Sequence, residues 1–406
     1  MALLVQKYGG TSVGTAGRIK AVAERVKASH DRGNKVVVVV SAMGHTTDEL
    51  ITLARQMTDD PSDRELDLLL STGEIVSCTL LSMALRSLGR EAISLTGGQA
   101  GIKTDNSHSR ASIIALDPSR IHRELEQGKV VIVAGFQGIT EDFDITTLGR
   151  GGSDTTAVAL AAALRADLCE IYTDVDGVFT ADPRLVPGAR QLDEISYEEM
   201  LELAQQGARV MHPRAVELGE VYGMPILVRS SFNERAGTLI HGGTQVEKKN
   251  KVRGIAHDLD VAKITLQAIP DQPGVAGRVF TPLAEAGINV STIVQNAGTD
   301  GLADVSFTVA RGDLKRALAI VEPVAGELKA RAVIPGDNLG KVSIVGSGIE
   351  NSPGHAAAMF RTLAAAGINI EMITTSQIRI TCVIDRGRVA EAVQALHLAF
   401  ALERAD

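Results

Sequence analysis

The sequence predicts an α/β protein with a three-layer α/β/α domain over residues 1–245 and two smaller βαββαβ modules after it. Three observations carry this prediction. Short β-branched runs alternate with helical stretches in the first part, the pattern breaks at 246–260, and an internal repeat fills the remainder. Alternating strands and helices are typical of a largely parallel sheet covered by helices on both faces.

Six apolar runs predict the strands of the large sheet, and several of them lack polar residues, as strands covered on both faces do. These runs are 3–5, 36–40, 92–95, 130–134, 168–172 and 226–228. Helices are predicted at 16–30, 72–88, 155–166, 197–206 and 213–222. Because such folds bind ligands beyond the carboxyl ends of strands, a site is expected in the loops that follow them.

The second part of the chain begins with a charged stretch, 246–260, which predicts a linker. Beyond it, residues 273–290 are echoed without a gap by 353–370, with a Pro-Gly turn, a phenylalanine and a Gly-Ile-Asn run in register. This repeat predicts two ferredoxin-like βαββαβ modules. Their boundaries are 261–338 and 339–406, and the last strand of the second module is available to complete the first.

Composition and charge exclude several classes of protein. With 45% hydrophobic and 22% charged residues the chain is not largely disordered. The net charge of −8, the absence of tryptophan and an aromatic content of 3% predict no nucleic-acid partner.

The cysteines, the histidines and the amino terminus predict a protein of a reducing compartment. Cys78, Cys169 and Cys382 stand far apart, which indicates buried thiols rather than a disulfide framework or a zinc site. The nine histidines show no metal-ligand spacing. The amino terminus lacks a signal-peptide pattern, and no apolar run approaches about 20 residues, so no membrane partner and a cytoplasmic location are expected.

The first candidate site is the run 7–14, which follows the first predicted strand. Glycines let backbone N–H groups approach a polyanion, and Lys7 can neutralise phosphate charge. The spacing matches neither a Walker loop nor a dinucleotide-binding fingerprint. A tight strand–helix turn with a solvated lysine is the alternative.

The second candidate site is the run 146–154, which precedes the alanine-rich helix. It places flexible glycine amides, the guanidinium of Arg150 and a helix amino terminus together, an arrangement that suits anions. The alternative is that Ser153 or Asp154 simply caps the helix.

The third candidate, 172–184, has three carboxylates within nine residues, which could hold a divalent ion or form Asx turns. Three smaller signals have structural explanations that are as good or better. The run 41–49 could be a helix cap, Glu74 lies near a predicted helix start, and Arg209 could be an ordinary surface arginine.

Taken in order, these motifs resemble those of the aspartate kinases, a branch of the amino acid kinase family with tandem carboxyl-terminal ACT domains. The resemblance covers nearly the whole chain and includes 7–13, 146–154, 172–184, 228–232 and the repeat. It implies ATP-dependent phosphorylation of the side-chain carboxylate of L-aspartate to 4-phospho-L-aspartate, the entry to lysine, threonine and methionine synthesis.

The resemblance also implies roles for individual residues. Lys7 and Asp154 would be catalytic, with Asp154 orienting Lys7. The substrate-binding residues would be Thr47, Glu74, Arg150, Gly151, Gly152 and Ser153. The nucleotide would contact Lys7, Gly9, Gly10, Thr173, Asp174, Phe179, Asp182, Arg184 and Arg209. Mg²⁺ is expected on the phosphates of ATP, and no protein side chain is assigned as a metal ligand.

The ACT pair implies feedback control by threonine alone or by lysine with threonine. The expected effector residues are Asp271, Gly274, Ala276, Gln295, Asn369 and Ile370. Ser291 stands where relatives often have an acid, and Gln377 stands where many have glutamate. A homodimer through the ACT domains, or a heterotetramer with a separately translated regulatory subunit, is expected.

Two further hypotheses compete with this one. A kinase of the same fold could use glutamate or acetylglutamate as acceptor, although the tandem ACT tail argues against it. The chain could also be an amino-acid sensor whose kinase half has lost activity. The joint presence of Lys7, Glu74, Arg150 and Asp154 argues against that loss.

Overall fold

A computed structural model describes residues 1–243, 251–298, 301–349 and 354–404. Residues 246–250 of the predicted linker and Pro353 of the repeat therefore lie outside the described residues. The chain forms two compact units. The first comprises Met1–Phe179, Gln191–Gln205 and Arg209–Glu247, and the second comprises Thr180–Arg190, Gln206–Ala208 and Lys248–Asp406.

The first unit is built on a large, mainly parallel sheet. Its strands are β1 (Leu3–Tyr8), β2 (Lys35–Val40), β3 (Ala92–Leu95), β4 (Ile102–Thr104), β5 (Ile113–Leu116), β6 (Val130–Ala134), β7 (Gln137–Ile139), β8 (Ile145–Thr147), β9 (Leu168–Thr173), β10 (Glu194–Ser196), β11 (Ile226–Ser230) and β12 (Thr238–His241). Eight of them form one sheet in the order β10-β12-β11-β9-β1-β2-β6-β3, in which only the β11–β12 pair is antiparallel. Strands β5, β4, β7 and β8 form a small second sheet.

Helices cover both faces of the large sheet and confirm the predicted three layers. They are α1 (Ala16–Asp31), α2 (Thr46–Met57), α3 (Asp63–Ser87), α4 (Ser119–Glu126), α5 (Gly152–Leu164), α6 (Tyr197–Gln205) and α7 (Pro213–Tyr222). Residues from α1 and α3 share a core with Tyr8, Val38 and Ile132. Successive side chains of a strand point to opposite faces of the sheet. Lys7 and Val39 therefore face away from this core, towards the side on which α5 lies.

Helix α3 begins at Asp63, nine residues before the predicted start at 72. Glu74, expected near a helix start, therefore lies in the middle of a helix. The Ser-Thr-Gly run 71–73 has weak helix propensity, which suggested a boundary there, but tertiary packing overrides it. A Cβ at Gly73 would lie 2.9 Å from Cβ of Ala42, so glycine permits close packing of α3 against the loop after β2.

The second unit is built on one six-stranded antiparallel sheet. Its strands are β13 (Gly254–Pro270), β14 (Thr292–Ala297), β15 (Leu302–Val309), β16 (Ala332–Val345), β17 (Met372–Ser376) and β18 (Arg379–Asp385), in the order β14-β15-β13-β16-β18-β17. Its helices are α8 (Val275–Glu285), α9 (Leu314–Glu327), α10 (His355–Ala365) and α11 (Val389–Ala399), with short 3₁₀ helices at Arg311–Asp313 and Arg386–Arg388.

The two modules share strands β13 and β16. The first has the predicted order βαββαβ, whereas α11 is the last helix or strand of the second among the described residues. The second half of β13 pairs with residues 332–336 of β16 in the first module, whereas its first half, 254–258, pairs with 341–345 in the second. Residues 254–260 are therefore strand, although they were expected to belong to the linker. The extra strand of the second module comes from before the first module, which differs from the expectation that a last strand of the second completes the first.

The segment Thr180–Arg190 belongs to the second unit although it follows β9 and the loop after it. Ala181 and Val186 lie in one buried cluster with Met359 and Leu396. The hydroxyl of Thr180 lies 2.9 Å from Nε2 of His397. This segment of the chain is therefore packed as part of the second ACT-like module.

Two observations bear on the compartment and the membrane. Cys78, Cys169 and Cys382 are free and buried, as predicted, and burial raises the pKa of the Cys78 thiol to about 12. Among the described helices, α3 is long and apolar enough to cross a membrane, but half of that stretch is buried within the protein. Core helices of globular proteins meet the same criterion.

Candidate active site

The centre of the candidate site is an ion pair between Lys7 and Asp154. Lys7 lies on β1, which continues through Tyr8 rather than ending at residue 5, and Asp154 lies in the first turn of α5. The Lys7 Nζ–Asp154 Oδ1 distance is 2.6 Å, and the two side chains are only 11% and 12% exposed. The structure thus brings together two residues 147 positions apart, at the carboxyl ends of the central strands.

The turn after β1 exposes its backbone next to this pair. The N–H of Gly9 donates to the carbonyl of Tyr172 over 3.2 Å. A Cβ at Gly9 would lie 3.5 Å from Nζ of Lys7, and a Cβ at Gly10 would lie 2.9 Å from the carbonyl of Ala42. The first distance is an ordinary van der Waals contact, whereas the second is too short, so Gly10 has a steric reason to be glycine.

The loop between β8 and α5 is also shaped by glycine. Gly149 and Gly151 have φ values of 74° and 70°, in the left-handed region. A Cβ at Gly151 would lie 2.2 Å from Cγ of His212, which is too close for any side chain. Arg150 between them is exposed, and among the described residues it has no hydrogen-bond or ion-pair partner. Its guanidinium is therefore available to an anion.

Gly152 and Ser153 follow this loop as the first two residues of α5. Both are buried at the start of α5. A Cβ at Gly135 would lie 2.9 Å from Oγ of Ser153, so the end of β6 approaches the serine closely.

Glu74 lies beside the loop after β2. Its side chain is only 3% exposed, and Oε1 accepts a hydrogen bond from the N–H of Ala42 over 3.1 Å. Oε2 is buried without a hydrogen-bond partner among the described residues. Burial raises the pKa of Glu74 to about 7. Such a carboxylate is well suited to receive a cationic group. Half-buried Thr47 lies in the first turn of α2, five residues after Ala42.

The residues expected on the nucleotide side begin at the end of β9. Thr173 ends that strand, and exposed Asp174 follows it. The N–H and hydroxyl of Ser231 both donate to the carbonyl of Thr173, and the hydroxyl of Ser12 lies 2.8 Å from that of Ser231. Ser12 and Ser231 lie inside the runs 7–14 and 228–232, but no role was predicted for either serine.

The other expected nucleotide residues are divided between the two units. Phe179 and exposed Arg209 belong to the first unit, whereas Asp182 and Arg184 belong to the second. Arg184 Nη2 lies 2.7 Å from Asp182 Oδ2, and this hydrogen bond lowers the pKa of Asp182. The structure therefore brings Lys7, Gly9, Gly10 and Thr173 together but does not place Asp182 and Arg184 in that unit.

No group of three or more His, Cys, Asp or Glu in the described parts of the chain is arranged to hold a metal ion. Of the three carboxylates in 172–184, Asp176 is bound by Asn233 and Arg235, and Asp182 is bound by Arg184. The third, Asp174, accepts a hydrogen bond from the hydroxyl of Thr173 over 3.3 Å, so all three carboxylates have partners.

The expected effector residues occupy different positions in the two modules. Gln295 donates from Nε2 to Asp271 Oδ1 over 3.4 Å, so these two are brought together. Gly274, with φ 93°, precedes α8, and exposed Ala276 lies in its first turn. Asn369 and Ile370 lie between α10 and β17 of the second module.

A cavity of about 490 Å³ lies on the opposite face of the sheet from Lys7. It is lined by α1 and by Gln6, Glu170, Tyr172 and Arg229 among others. Because Gln6 and Lys7 are consecutive on β1, their side chains point to opposite faces. Three arginines and three glutamates line this cavity, so its charges balance internally and it is separate from the candidate active site.

Comparisons with known proteins agree with this fold. Residues 2–230 match the model of the amino acid kinase family, and residues 265–326 and 342–400 each match an ACT domain. The aspartokinase of Geobacillus stearothermophilus is 52% identical, with 99% of this chain and 98% of that protein covered. The aspartokinase of Mycolicibacterium smegmatis is 50% identical, with 99% and 97% covered.

The solved structures give the same result. E. coli aspartokinase III in complex with aspartate and ADP is 26% identical over 98% of this chain and 99% of that chain, with a TM-score of 0.82. Aspartate kinase from Synechocystis is 46% identical over 98% of this chain and 69% of that chain, with a TM-score of 0.56. Fold and site thus define an enzyme of the amino acid kinase family with two ACT domains.

Within that family the chain belongs to the aspartokinases, phosphotransferases with a carboxyl group as acceptor. This excludes the hypothesis of a non-catalytic amino-acid sensor.

Proposed function

We propose that this aspartokinase transfers the γ-phosphoryl group of ATP to the side-chain carboxylate of L-aspartate, with 4-phospho-L-aspartate and ADP as products. A carboxylate oxygen would attack the γ-phosphorus while the bond to the β–γ bridging oxygen breaks. The reaction would be the first step towards lysine, threonine and methionine. The observation that carries the proposal is the buried Lys7–Asp154 pair beside the glycine turn.

Lys7 would stabilise the negative charge of the transferring phosphoryl group. Phosphoryl transfer requires mainly positioning and electrostatic stabilisation from the protein. Asp154, 2.6 Å from Nζ, would orient Lys7. A substrate carboxylate is ionised at neutral pH, so no general base is needed to produce the nucleophile.

The substrate would be held by groups of both charges. Arg150 would bind the α-carboxylate, and Glu74 would bind the ammonium group through its unpartnered oxygen. Thr47, Ser153 and the amides of Gly151 and Gly152 would add hydrogen bonds. This mixture suits an amino acid that carries a second carboxylate.

ATP would lie over the carboxyl ends of β1 and β9. Gly9 and Gly10 would approach its phosphates, and Thr173, Asp174, Phe179, Asp182, Arg184 and Arg209 would contact the rest of the nucleotide. Mg²⁺ would neutralise phosphate charge when bound. Phosphate oxygens fit this cation better than the described side chains, which form no cluster of three acidic or imidazole ligands.

The ACT domains would bind threonine, alone or with lysine, near Asp271, Gly274, Ala276 and Gln295 and near Asn369 and Ile370. E. coli aspartokinase III, a neighbour with a TM-score of 0.75, has been solved in complex with lysine and aspartate. We also propose assembly through the ACT domains, as a homodimer or with a separate regulatory subunit. A cytoplasmic location fits three free cysteines.

Hydroxylamine trapping tests the reaction. Purified protein with ATP, Mg²⁺ and aspartate should form an aspartyl hydroxamate in proportion to ADP release. Glutamate in place of aspartate is the matched control and should give no hydroxamate above background. Hydroxamate formation with glutamate but not with aspartate would contradict the assignment of the acceptor.

A further inference from the structure

Asp67 of helix α3 is a fully buried carboxylate that the proposed mechanism does not use. Thr147 donates its N–H to Oδ2 over 3.0 Å and its hydroxyl to Oδ1 over 2.5 Å. The N–H of Ser109 lies 2.9 and 3.1 Å from the two oxygens, and Nδ1 of His108 lies 3.0 Å from Oδ2. A carboxylate surrounded by donors in this way holds chain segments in place.

One of those segments leads directly into the candidate substrate loop. Thr147 is the last residue of β8, and Arg150 follows three residues later. Between them, the N–H of Leu148 donates to the carbonyl of Phe136 over 2.8 Å, and Nη1 of Arg214 donates to the carbonyl of Leu148 over 3.2 Å. Asp67 therefore fixes the point at which the glycine-rich loop leaves the small sheet.

The other segment supports the same loop from the side. Ser109 has φ 67°, a left-handed conformation that residues with a side chain seldom adopt. A Cβ at Gly149 would lie 3.1 Å from the carbonyl oxygen of Ser109, so the two chain segments are in close contact. Such strain persists only where the surroundings enforce it, and the bonds from Ser109 N–H to Asp67 supply that constraint.

We propose that Asp67 is a positioning residue for the aspartate-binding loop. By holding Thr147 and Ser109 at once, it fixes the end of β8 two residues before Gly149 and the segment that packs against Gly149, and so sets where the guanidinium of Arg150 meets the substrate. The inference rests on the proposed role of Arg150. A displacement of about 1 Å in a substrate-positioning group can cost about 100-fold in rate.

Asparagine at position 67 would keep the shape but not the hydrogen bonds. Its amide has one acceptor oxygen and one NH₂ group, so a donor would face the N–H groups of Thr147 or Ser109. Asp67→Asn should raise KM for aspartate at least tenfold and leave KM for ATP within twofold of the parent value. Loss of thermal stability alone, or an equal rise of both KM values, would overturn the proposal.

Two further variants make the test independent of gross misfolding. Thr147→Val keeps the side-chain shape, removes one hydrogen bond to Asp67, and should raise KM for aspartate about threefold. Asp63→Asn is the matched control. Exposed Asp63 also contacts Ser109, and among the described residues it does so through one hydrogen bond, from the Ser109 hydroxyl over 3.1 Å. It should leave both KM values at the parent level, and an effect equal to that of Asp67→Asn would contradict the inference.

A readout without substrate separates this inference from the proposed function. Hydrogen exchange measured by mass spectrometry should show faster exchange over residues 145–153 in Asp67→Asn than in the parent or in Asp63→Asn. Unchanged exchange there would overturn the inference even if aspartate is the acceptor. Conversely, a parent enzyme inactive with aspartate would contradict the proposed function, while the exchange result would still decide the role of Asp67.

Discussion

At the scale of single residues, the Lys7–Asp154 pair combines low exposure with a short contact, so each charge depends on the other. A buried pair that loses one member leaves the other charge uncompensated. A Cβ at Gly9 would lie 3.5 Å from Nζ of Lys7, so this cation stands next to the glycine turn. Loss of either residue should therefore affect both the stability of the fold and the proposed catalysis.

We predict that Lys7→Ala lowers kcat at least 100-fold, because the transferring phosphoryl group loses a positioned positive charge. The hydroxamate assay measures the rate, and circular dichroism checks that the fold is retained. Lys20→Ala, which removes an exposed lysine of α1, serves as control and should keep the parent rate. Near-parent turnover of Lys7→Ala would remove the role assigned to Lys7.

Glu74 allows a prediction in which stability and activity change in opposite directions. The ordinary glutamate pKa is 4.5, and burial raises that of Glu74 to about 7. Between these values the folded state binds more protons than the unfolded state, so the free energy of unfolding falls as pH rises. Glu74→Gln removes this penalty, and at pH 8 it should stabilise the protein by on the order of 2 kcal/mol. Near pH 4.5 the gain should disappear.

The same variant should raise KM for aspartate at least tenfold, because the substrate ammonium loses its carboxylate partner. Urea denaturation at several pH values measures the stability. Glu124→Gln is an informative control because a hydrogen bond from Lys129 lowers the pKa of Glu124, so that substitution should destabilise above its ordinary pKa. A destabilised Glu74→Gln at pH 8 would contradict the argument.

At the scale of elements, the loop that starts α5 depends on backbone conformations that only glycine accepts readily. Gly151 combines φ 70° with a position 2.2 Å from the ring of His212 for any added Cβ. Gly128 has a similar φ of 75° but open space around it. Substitutions at Gly151 and Gly128 therefore separate the cost of backbone strain from the cost of steric overlap.

We predict that Gly128→Ala costs about 1 kcal/mol from strain alone, whereas Gly151→Ala costs clearly more and also lowers activity at least tenfold. The activity should fall because the start of α5, which carries Asp154, must shift away from His212. Denaturant midpoints and the hydroxamate assay measure the two effects. Equal costs for the two variants would show that the loop tolerates the overlap.

Periodicity predicted most elements of the first unit because they repeat local patterns. Helix α7 has the predicted bounds, and the valine run of β2 was found within one residue. The beginning of α3 was missed because its weak helix formers at 71–73 are compensated by packing, which sequence alone does not contain. The sharing of β13 and β16 between modules was missed because pairing partners far apart leave no local signal.

The candidate site was predictable only as separate fragments. Lys7 and Asp154 each lay in a motif that the sequence analysis identified. Because they are 147 positions apart, only the resemblance to the aspartate kinases predicted their contact. Asp67 was missed altogether, because an aspartate in an apolar run shows its importance only through the donors that the fold brings to it.

At the scale of the whole molecule, the chain after β9 links the first unit covalently to the second. The chain leaves β9, passes Phe179, and enters the segment Thr180–Arg190, which packs with α11 in the second unit. Gln394 of α11 donates to the carbonyl of Leu185 over 2.7 Å, within the same unit. A change in the second module therefore has a direct covalent route towards the end of β9.

Feedback inhibition is the prediction that belongs to this scale. Threonine, alone or with lysine, should inhibit the intact enzyme, and Asp271→Ala should raise the half-inhibitory concentration at least tenfold because the polar contact with Gln295 is lost. Asn369→Ala tests the expected effector residues of the second module in the same way, so the two variants reveal whether one or both modules bind effector. Glu285→Ala, an exposed substitution in α8 of the first module, should keep the parent inhibition curve. Activity titrated with lysine, threonine and both measures these effects, and full activity of the parent in millimolar threonine, with or without lysine, would contradict the proposed regulation.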